Sequence, residues 1–372
     1  MSPDTPHKPD RLGTIQPAYV RPLDLKRGRV DLTHGAGGRA SHQLIDSVFR
    51  PAFAPTWPSG WQDGGDDGAV LPDLPAVPGS ATGGKLVMAT DAHVVSPLFF
   101  PGGDIGSLAV HGTVNDLAMM GARPLHLSVS FILEEGLPLS DLLRVVQSMA
   151  RAAREAEVAI VTGDTKVVER GKADGLYIST TGLGQCRPGV RLSGRLAQAG
   201  DAILLSGCVG DHGAAILSQR EGLRFEAPIE SDSAALHGLV AHMLDTGAAL
   251  RVLRDPTRGG LATTLNEIAV ASGVGMQIEE SAIPLNPTVA AACEFMGLDP
   301  LYMANEGKLI AICASEDAER LLSAMRAHPL GREACLIGQV TPGPAGQVRM
   351  RTAFGGQRML DWLMGDPLPR IC

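Results

Sequence analysis

Apolar and polar positions along the chain follow two periods, and the switches between them mark the elements. The apolar run at residues 86–89 predicts a buried strand ending at Thr90-Asp91. Asp104 stands before a long apolar stretch, and its position predicts the N-cap of a helix running to Met120 and closed by Gly121. Residues 125–133 alternate as a strand does. Ser140 and Asp141 open an amphipathic helix to about Glu157, and residues 158–161 predict a strand that meets a turn at Gly163-Asp164. A further strand is expected over 176–183. The second half repeats the mixture, with strands at 202–206, 276–278, 309–313 and 336–340 and helices after Gly210-Asp211-His212-Gly213 and over 233–245 and 261–272. Ahead of all these, a short strand at 29–33, a helix at 41–49 and a loop over 50–84 are expected.

The polar, glycine-containing stretch 184–199 predicts a domain boundary. The division is then a disordered N-terminal extension over 1–27, a first domain over 28–184, a second over 185–345 and a C-terminal tail over 346–372. The fold class is α+β, two mixed α/β domains with a flexible extended tail. The ending Gly365-Asp-Pro-Leu-Pro-Arg-Ile-Cys372 has two prolines in eight residues and is expected to be extended.

Composition narrows the class. Hydrophobic residues at 44% against charged residues at 19% support sizeable cores and exclude disorder as the overall state. With 32 Lys and Arg against 40 Asp and Glu, the net charge of −8 argues against sequence-independent nucleic-acid binding. No run approaches the roughly 18 apolar residues of a membrane span. The expectation is a cytoplasmic protein with no membrane partner and no nucleic acid. The 6 cysteines form no Cys-x-x-Cys pair, so a zinc ribbon is not expected. Cys208, Cys293, Cys313 and Cys335 sit in apolar segments as small core residues.

Two glycine-rich segments imitate nucleotide motifs. Gly79-Ser-Ala-Thr-Gly-Gly84-Lys85-Leu86 lacks the magnesium-binding Ser or Thr of a P-loop and precedes a strand rather than a helix. Gly35-Ala-Gly37-Gly38-Arg-Ala40 fits a loose dinucleotide fingerprint, but no prompt βαβ unit follows. Either an ordinary turn or a loop closing over phosphates through its N–H groups fits Gly37 and Gly38.

The informative pattern is a series of Asp residues at Gly-flanked turns beside strands. They are Gly65-Asp66-Asp67-Gly68, Thr90-Asp91, Asn115-Asp116, Gly163-Asp164, Gly210-Asp211 and Asp255-Pro-Thr-Arg-Gly-Gly260. One alone is a cap or Asx turn. Asn115-Asp116 differs, since it interrupts an apolar helix and needs partners there. Either backbone groups or magnesium on phosphates would supply them.

Together, Gly-Asp-Asp-Gly-Ala-Val70, Thr-Asp91, Asn-Asp-Leu117 and Gly-Asp-Thr-Lys166 resemble the ATP-binding superfamily of aminoimidazole ribonucleotide synthetase, selenophosphate synthetase and thiamine-monophosphate kinase. Within it the chain is most similar to the carbamoyl dehydratases of hydrogenase maturation. The segments that carry this are His34-Gly-Ala-Gly-Gly38, Ser96-Pro-Leu-Phe-Phe-Pro-Gly-Gly103, Ile160-Val-Thr-Gly-Asp-Thr-Lys-Val-Val168, Gly210-Asp-His-Gly-Ala214, Asp255-Pro-Thr-Arg-Gly-Gly260, Ala304-Asn-Glu-Gly-Lys308 and Pro-Arg-Ile-Cys372.

The resemblance implies an aminoimidazole ribonucleotide synthetase-like fold and a homodimer built on the N-terminal sheets. It implies that a carbamoyltransferase loads Cys372, that ATP and Mg2+ serve its dehydration to a thiocyanate, and that an iron-carrying scaffold complex accepts the cyanide. It places Asp66, Asp67, Asp91, Asp116 and Asp255 around the metal. Gly37, Gly38, Asp67, Asp91, Asn115, Asp116, Asp164 and Asp211 fall around ATP. Lys166 and Glu306 form a polar pair near the thiol, as catalytic residues with Cys372.

The chemistry agrees with this assignment. Losing oxide from an amide needs a better leaving group, and phosphorylating the oxygen makes one, with clustered carboxylates holding magnesium. A carboxylate such as Glu306 then serves as base, tuned by Lys166, unless the two are a structural ion pair. Fully extended, eight tail residues reach on the order of 25 Å, enough to visit a partner. Selenophosphate synthetase is the main rival, but no Cys occurs before Cys186 to serve as its reactive residue. Thiamine-monophosphate kinase gives no reason for the tail. A non-catalytic carrier would need no acidic set.

Overall fold

The computed structural model describes residues 38–49, 66, 69–70, 85–223, 225, 228–363 and 370–372, with the isolated residues 23, 33 and 51. Apart from residue 23, the expected extension over 1–27 lies outside them, as do the strand expected at 29–33 up to residue 32, Gly37, Asp67 and the glycine segment before Lys85. Two sheets organise the rest. The first has five strands in the order β1-β2-β7-β5-β6, built from Ala69–Val70, Leu86–His93, Leu176–Cys186, Ala122–Glu134 and Ala159–Val168. Only the β5–β6 pair is parallel. Between β2 and β5 in the chain, β3 (Phe99–Phe100) and β4 (Gly103–Asp104) form a two-stranded ribbon of their own.

One face of the five-stranded sheet is covered by α2 (Ile105–Met119) and α3 (Leu139–Glu155); the preceding α1 is Arg39–Leu44. Asp104 starts α2 as its composition predicts. Its carboxylate accepts from Gly106 N–H at 2.8 Å and Ser107 N–H at 3.1 Å, and Ser107 Oγ accepts from Asp104 N–H at 3.1 Å. This capping box satisfies the orphan amides of the first turn. It fixes the helix that carries Gly112, Asn115 and Asp116.

The second sheet has seven strands in the order β14-β13-β10-β12-β8-β11-β9. They are Gln357–Leu360, Val348–Arg351, Gly275–Glu279, Cys335–Thr341, Ala202–Leu205, Ile310–Cys313 and Leu250–Arg254. Helix α6 (Gly260–Ser272) packs on one face through Leu261, Leu265 and Ile268, against Ile203 and Leu205 of β8. Helices α5 (His237–Asp245) and α8 (Ala318–Ala327) pack on the other, against Leu204 and Leu253. Cover on both faces explains why β8 and β11 read as unbroken apolar runs. The remaining helices are α4 (Asp211–Arg220) and α7 (Pro287–Met296).

The halves share a core. The cluster of Ile105, Leu108, Leu127, Val129, Val145 and Ile178 continues into Ile216, Val289, Met303 and Ile371.

Several boundaries differ from expectation. The strand expected at 86–89 extends to His93, so Asp91 is a strand residue. The strand expected at 158–161 runs to Val168, and Gly163-Asp164 lies inside it rather than in a turn. A Cβ on Gly163 would sit 2.5 Å from Val129 O, so the glycine serves close approach of two strands. The helix expected at 41–49 is α1 followed by a π-helical turn, Ile45–Phe49. The segment from 346, expected as tail, contributes β13 and β14 to the edge of the second sheet.

Candidate active site

A cavity of about 240 Å³ opens where β2, α2, the loop 255–259, the loop 304–308 and the chain's last residue meet. Its walls include Asp91 and His93 from β2, Gly112 and Asp116 from α2, Asp255 and Arg258 from the first loop, Glu306 from the second, and Cys372. Asp91 and His93 are two apart on one strand and therefore share a face. His93 Nε2 lies 3.1 Å from Asp91 Oδ2. Gly112 makes room for both, since a Cβ there would lie 2.9 Å from Asp91 Oδ2 and 3.0 Å from His93 Nε2.

Buried Asn305 holds the two loops together. Its amide donates to Pro256 O at 2.8 Å and its oxygen accepts from Gly210 N–H at 2.7 Å. Gly260 adopts φ +62, and a Cβ there would fall 2.6 Å from two carbonyl oxygens, so only glycine fits.

The site is crowded with negative charge. Burial pushes the Asp255 carboxyl up to about 6, Arg254 pulls it back, and Asp91 adds repulsion. Glu306 is pushed well above its ordinary range by burial, then by Asp91, Asp255 and Asp232, against the pull of Arg258. It is 3% exposed, and its Oε1 has no hydrogen-bond partner among the described residues. At Asp91 burial works upward, but His93 and Arg258 outweigh it and bring the carboxyl to about 2. Arg258 is held above its usual range chiefly by Cys372, against burial, with Asp91, Glu306 and Asp116 contributing.

Asp91, Asp255 and Glu306 repel one another around a cavity that Asp116 and Glu267 also line, and Glu306 keeps a buried oxygen unsatisfied among the described residues, a set that suits a hard divalent cation. No three His, Cys, Asp or Glu converge as a ready-made ligand set among the described residues. That fits magnesium carried in by phosphates, which keeps only one or two protein carboxylates.

The structure brings Cys372, Glu306, Asp91, Asp116 and Asp255 together at this cavity. Other residues singled out in the sequence stand elsewhere. The Asp66 carboxylate accepts from Ser193 Oγ at 2.8 and 3.0 Å and from Gly194 N–H at 2.8 Å, tying the first sheet to the second half. The Asn115 amide donates to Ala234 O at 3.0 Å and Glu306 O at 3.2 Å and accepts from Leu236 N–H at 2.8 Å, so backbone satisfies it. Asp211 starts α4 outside the cavity lining, where burial, Asp232 and Glu333 push it up to about 6 against the pull of Lys308. A Cβ on Gly38 would lie 2.7 Å from Leu363 O.

Lys166 pairs with Asp164 at 2.6 Å, and both are exposed. Register explains their distance from the thiol. Asp164 aligns with Ser130, Ser179 and Ala92, and Lys166 with Ile132 and Tyr177. Asp91 aligns with Thr180 and Val129, the row that faces α2. Successive residues point to opposite faces. Lys166 and Asp164 thus occupy the uncovered face and Asp91 the covered one. Among the described residues, the cations that line the cavity are Arg254 and Arg258. Arg258 lies inside the Asp255–Gly260 motif, and His93 follows Asp91 by one strand repeat. Those two signals could have found them.

The last three residues are docked. Val94 N–H donates to Cys372 O at 3.1 Å, and Ser96 N–H to Arg370 O at 3.1 Å. His212 Nε2 lies 2.8 Å from Ile371 O, and Arg220 bridges Ser96 O and Arg370 O, each at 2.8 Å. Arg370 pairs with Asp174, and Ile371 is 3% exposed.

Comparison with known proteins places these features in a family. Residues 65–186 match the profile of the AIR synthase related protein, N-terminal domain, and residues 198–351 match its C-terminal domain. Carbamoyl dehydratase HypE of Cupriavidus necator is 62% identical over 360 residues, covering 97% of this chain and 99% of that protein. Carbamoyl dehydratase HypE of Azotobacter vinelandii is 63% identical over 350 residues, covering 94% and 99%. Among solved structures, HypE in complex with ATP is 51% identical with a TM-score of 0.76, covering 92% of this chain and 99% of that one. HypE in its complex with HypF is 46% identical with a TM-score of 0.78, covering 86% and 99%.

Proposed function

This chain belongs to the HypE carbamoyl dehydratases, within the AIR synthase related family, and from that premise we propose that it uses ATP to dehydrate an S-carbamoyl group on Cys372 to a thiocyanate. The product supplies a cyanide ligand for nickel–iron hydrogenase assembly. The observation that carries this reading is the position of Cys372, inside a cavity with Asp91, Asp255, Arg258 and Glu306.

The steps follow from the groups present. The carbamoyl oxygen attacks the γ-phosphorus of ATP and displaces ADP, while the nitrogen gives up one proton. The nitrogen of the O-phosphorylated intermediate then loses its second proton as the C–O bond breaks and phosphate departs with that bond's electron pair, leaving S–C≡N. Positioning and charge neutralisation account for most of such a transfer. Arg258 supplies fixed positive charge beside the thiol and the developing phosphate. One or two of Asp91, Asp116 and Asp255 would hold Mg2+ carried in on the phosphates, which supplies neutralisation of phosphate charge. Glu306 takes the nitrogen proton. A carboxyl raised in pKa is a stronger base once ionised, which suits proton removal near neutral pH.

The chain works as a homodimer through the uncovered face of the first sheet. Supporting this, Met88 and Ile132 on that face are large apolar side chains left exposed. Such a patch marks an interaction surface. Lys166 and Asp164 lie on the same face, so they serve the site of the second copy rather than their own. The carbamoyl donor is a carbamoyltransferase of the HypF kind, as in the solved HypE–HypF complex. An iron-carrying scaffold complex takes the cyanide. No helix among the described residues is long and apolar enough to cross a membrane. The working place proposed from the family resemblance is the cytoplasm.

The test is mass spectrometry of the C-terminal peptide after incubation with the carbamoyl donor system and ATP. A carbamoyl adduct on Cys372 should lose the mass of one water when ATP is added. Adducts on another cysteine would overturn the assignment.

A further inference from the structure

We propose that His212 and Arg220 form a latch that reads the backbone carbonyls of Ile371 and Arg370 and sets how long Cys372 stays in its own cavity. They act as positioning residues for the transfer, and neither lines that cavity. The inference rests on the reading of Cys372 as the carrier thiol.

Every carbonyl of the docked tripeptide has a donor. Arg370 O receives Ser96 N–H and Arg220, Ile371 O receives His212, and Cys372 O receives Val94 N–H. His212 is fully buried, and burial lowers its pKa, so the ring is neutral. A carbonyl can only accept, so Nε2 must carry the hydrogen. Nδ1 is then the acceptor, and Ser231 Oγ, 2.7 Å away, donates to it. Ser231 N–H is in turn fixed on Pro101 O at 2.8 Å. The accept-only carbonyl therefore sets the tautomer, and the serine hydroxyl, able to donate or accept, completes it. Arg220 grips Ser96 O with Nε and a terminal nitrogen, at 3.2 and 2.8 Å, and reaches Arg370 O with that same terminal nitrogen, a planar fork that a single ammonium nitrogen does not reproduce.

The grip reads backbone, with Ile371 as its one deeply buried side chain. Arg370 keeps a left-handed φ of 58, a conformation that persists where surroundings enforce it. Released carbonyls would regain water, so the latch can open without leaving the tail's acceptors unpaired. A thiol that must meet both a loading partner and its own ATP site needs such a reversible hold.

The experiment uses the full-length chain and compares wild type with His212→Phe, His212→Gln, Arg220→Ala and Arg220→Lys. The first readout needs neither ATP nor partner. Iodoacetamide labelling of Cys372 is followed by mass spectrometry of the C-terminal peptide, with buried Cys293 as an internal control for intact folding. Labelling should rise about tenfold in His212→Phe and Arg220→Ala, the effect of one lost hydrogen bond to a buried partner. His212→Gln should stay near wild type because it keeps a donor, and Arg220→Lys should fall between. If the buried position rejects Phe, Cys293 becomes reactive, and half-buried Arg220 alone decides.

The second readout separates the steps. Carbamoyl loading by the partner should quicken or hold, while ATP-dependent dehydration slows. Unchanged Cys372 labelling in Arg220→Ala overturns the latch. Raised labelling with no dehydration in any chain, wild type included, keeps the latch and overturns the dehydratase reading instead.

Discussion

A Cβ on Gly112 would lie 2.9 Å from Oδ2 of Asp91. The helix and the strand are therefore spaced for a carboxylate and nothing more. In Gly112→Ala the gain in helix propensity, up to ~1 kcal/mol, is offset by overpacking of similar size. The melting temperature should move little. ATP affinity in the presence of magnesium, read by calorimetry, should fall about tenfold as Asp91 is pushed aside. Unchanged affinity would remove Asp91 from the nucleotide site.

Glu306 is buried, its Oε1 has no hydrogen-bond partner among the described residues, and its pKa is strongly raised. Glu306→Gln keeps the shape and removes the ionisable proton. The S-carbamoyl form of Cys372 should accumulate, with conversion slowed by about 10²–10⁴-fold, as for loss of a general base. Stability should hold or rise, since no charge must then be buried. A variant that converts at the normal rate would exclude Glu306 as base.

Asp211 gives a pH signature. Its carboxyl is raised from 3.8 to about 6, first by burial and then by Asp232. The folded state binds this proton more tightly than the unfolded one, so its contribution is full below about pH 4 and is lost as pH rises through about 6. Asp211→Asn should match wild type near pH 4 and exceed it by on the order of 1 kcal/mol above pH 6.5, after discounting for partial solvent screening. Denaturant melts across that range check it. A constant difference at all pH values would contradict the sign.

Lys166 and Cys372 act on opposite faces of the first sheet. A mixture of Lys166→Ala and Cys372→Ala chains should therefore recover dehydration that neither has alone. One of the two sites in a mixed dimer has both groups, and about half the dimers in an equal mixture are mixed, so activity approaches about a quarter of wild type. Mixtures as inactive as the separate variants would show that the lysine serves its own chain.

The sequence was most legible where local chemistry decides structure. Asp104 as a cap and the apolar helix behind it follow from caps and periods, while Asp91, Asp116, Asp255 and Glu306 beside Cys372 are expected through the family resemblance that the motifs carry. What stayed hidden depends on register and on distance along the chain. Whether Lys166 faces the site depends on pairing across three strands, which no single segment encodes. Asp66 looks like a ligand beside Asp67, yet its partners are 127 and 128 residues away. Asn115 reads as a polar intruder in a helix until Ala234, Leu236 and Glu306 arrive from the other half. Arg258 was visible but overshadowed by Asp255 in the same motif.

Ile371 belongs to a core that spans both halves of the molecule and is 3% exposed. When the thiol leaves, this side chain leaves with it, and exposing an isoleucine to water costs roughly 1.5–3 kcal/mol. An unaided excursion would therefore be brief. A protein that receives the cysteine for longer has to greet the residue before it as well, with a greasy hollow matched to a branched four-carbon side chain.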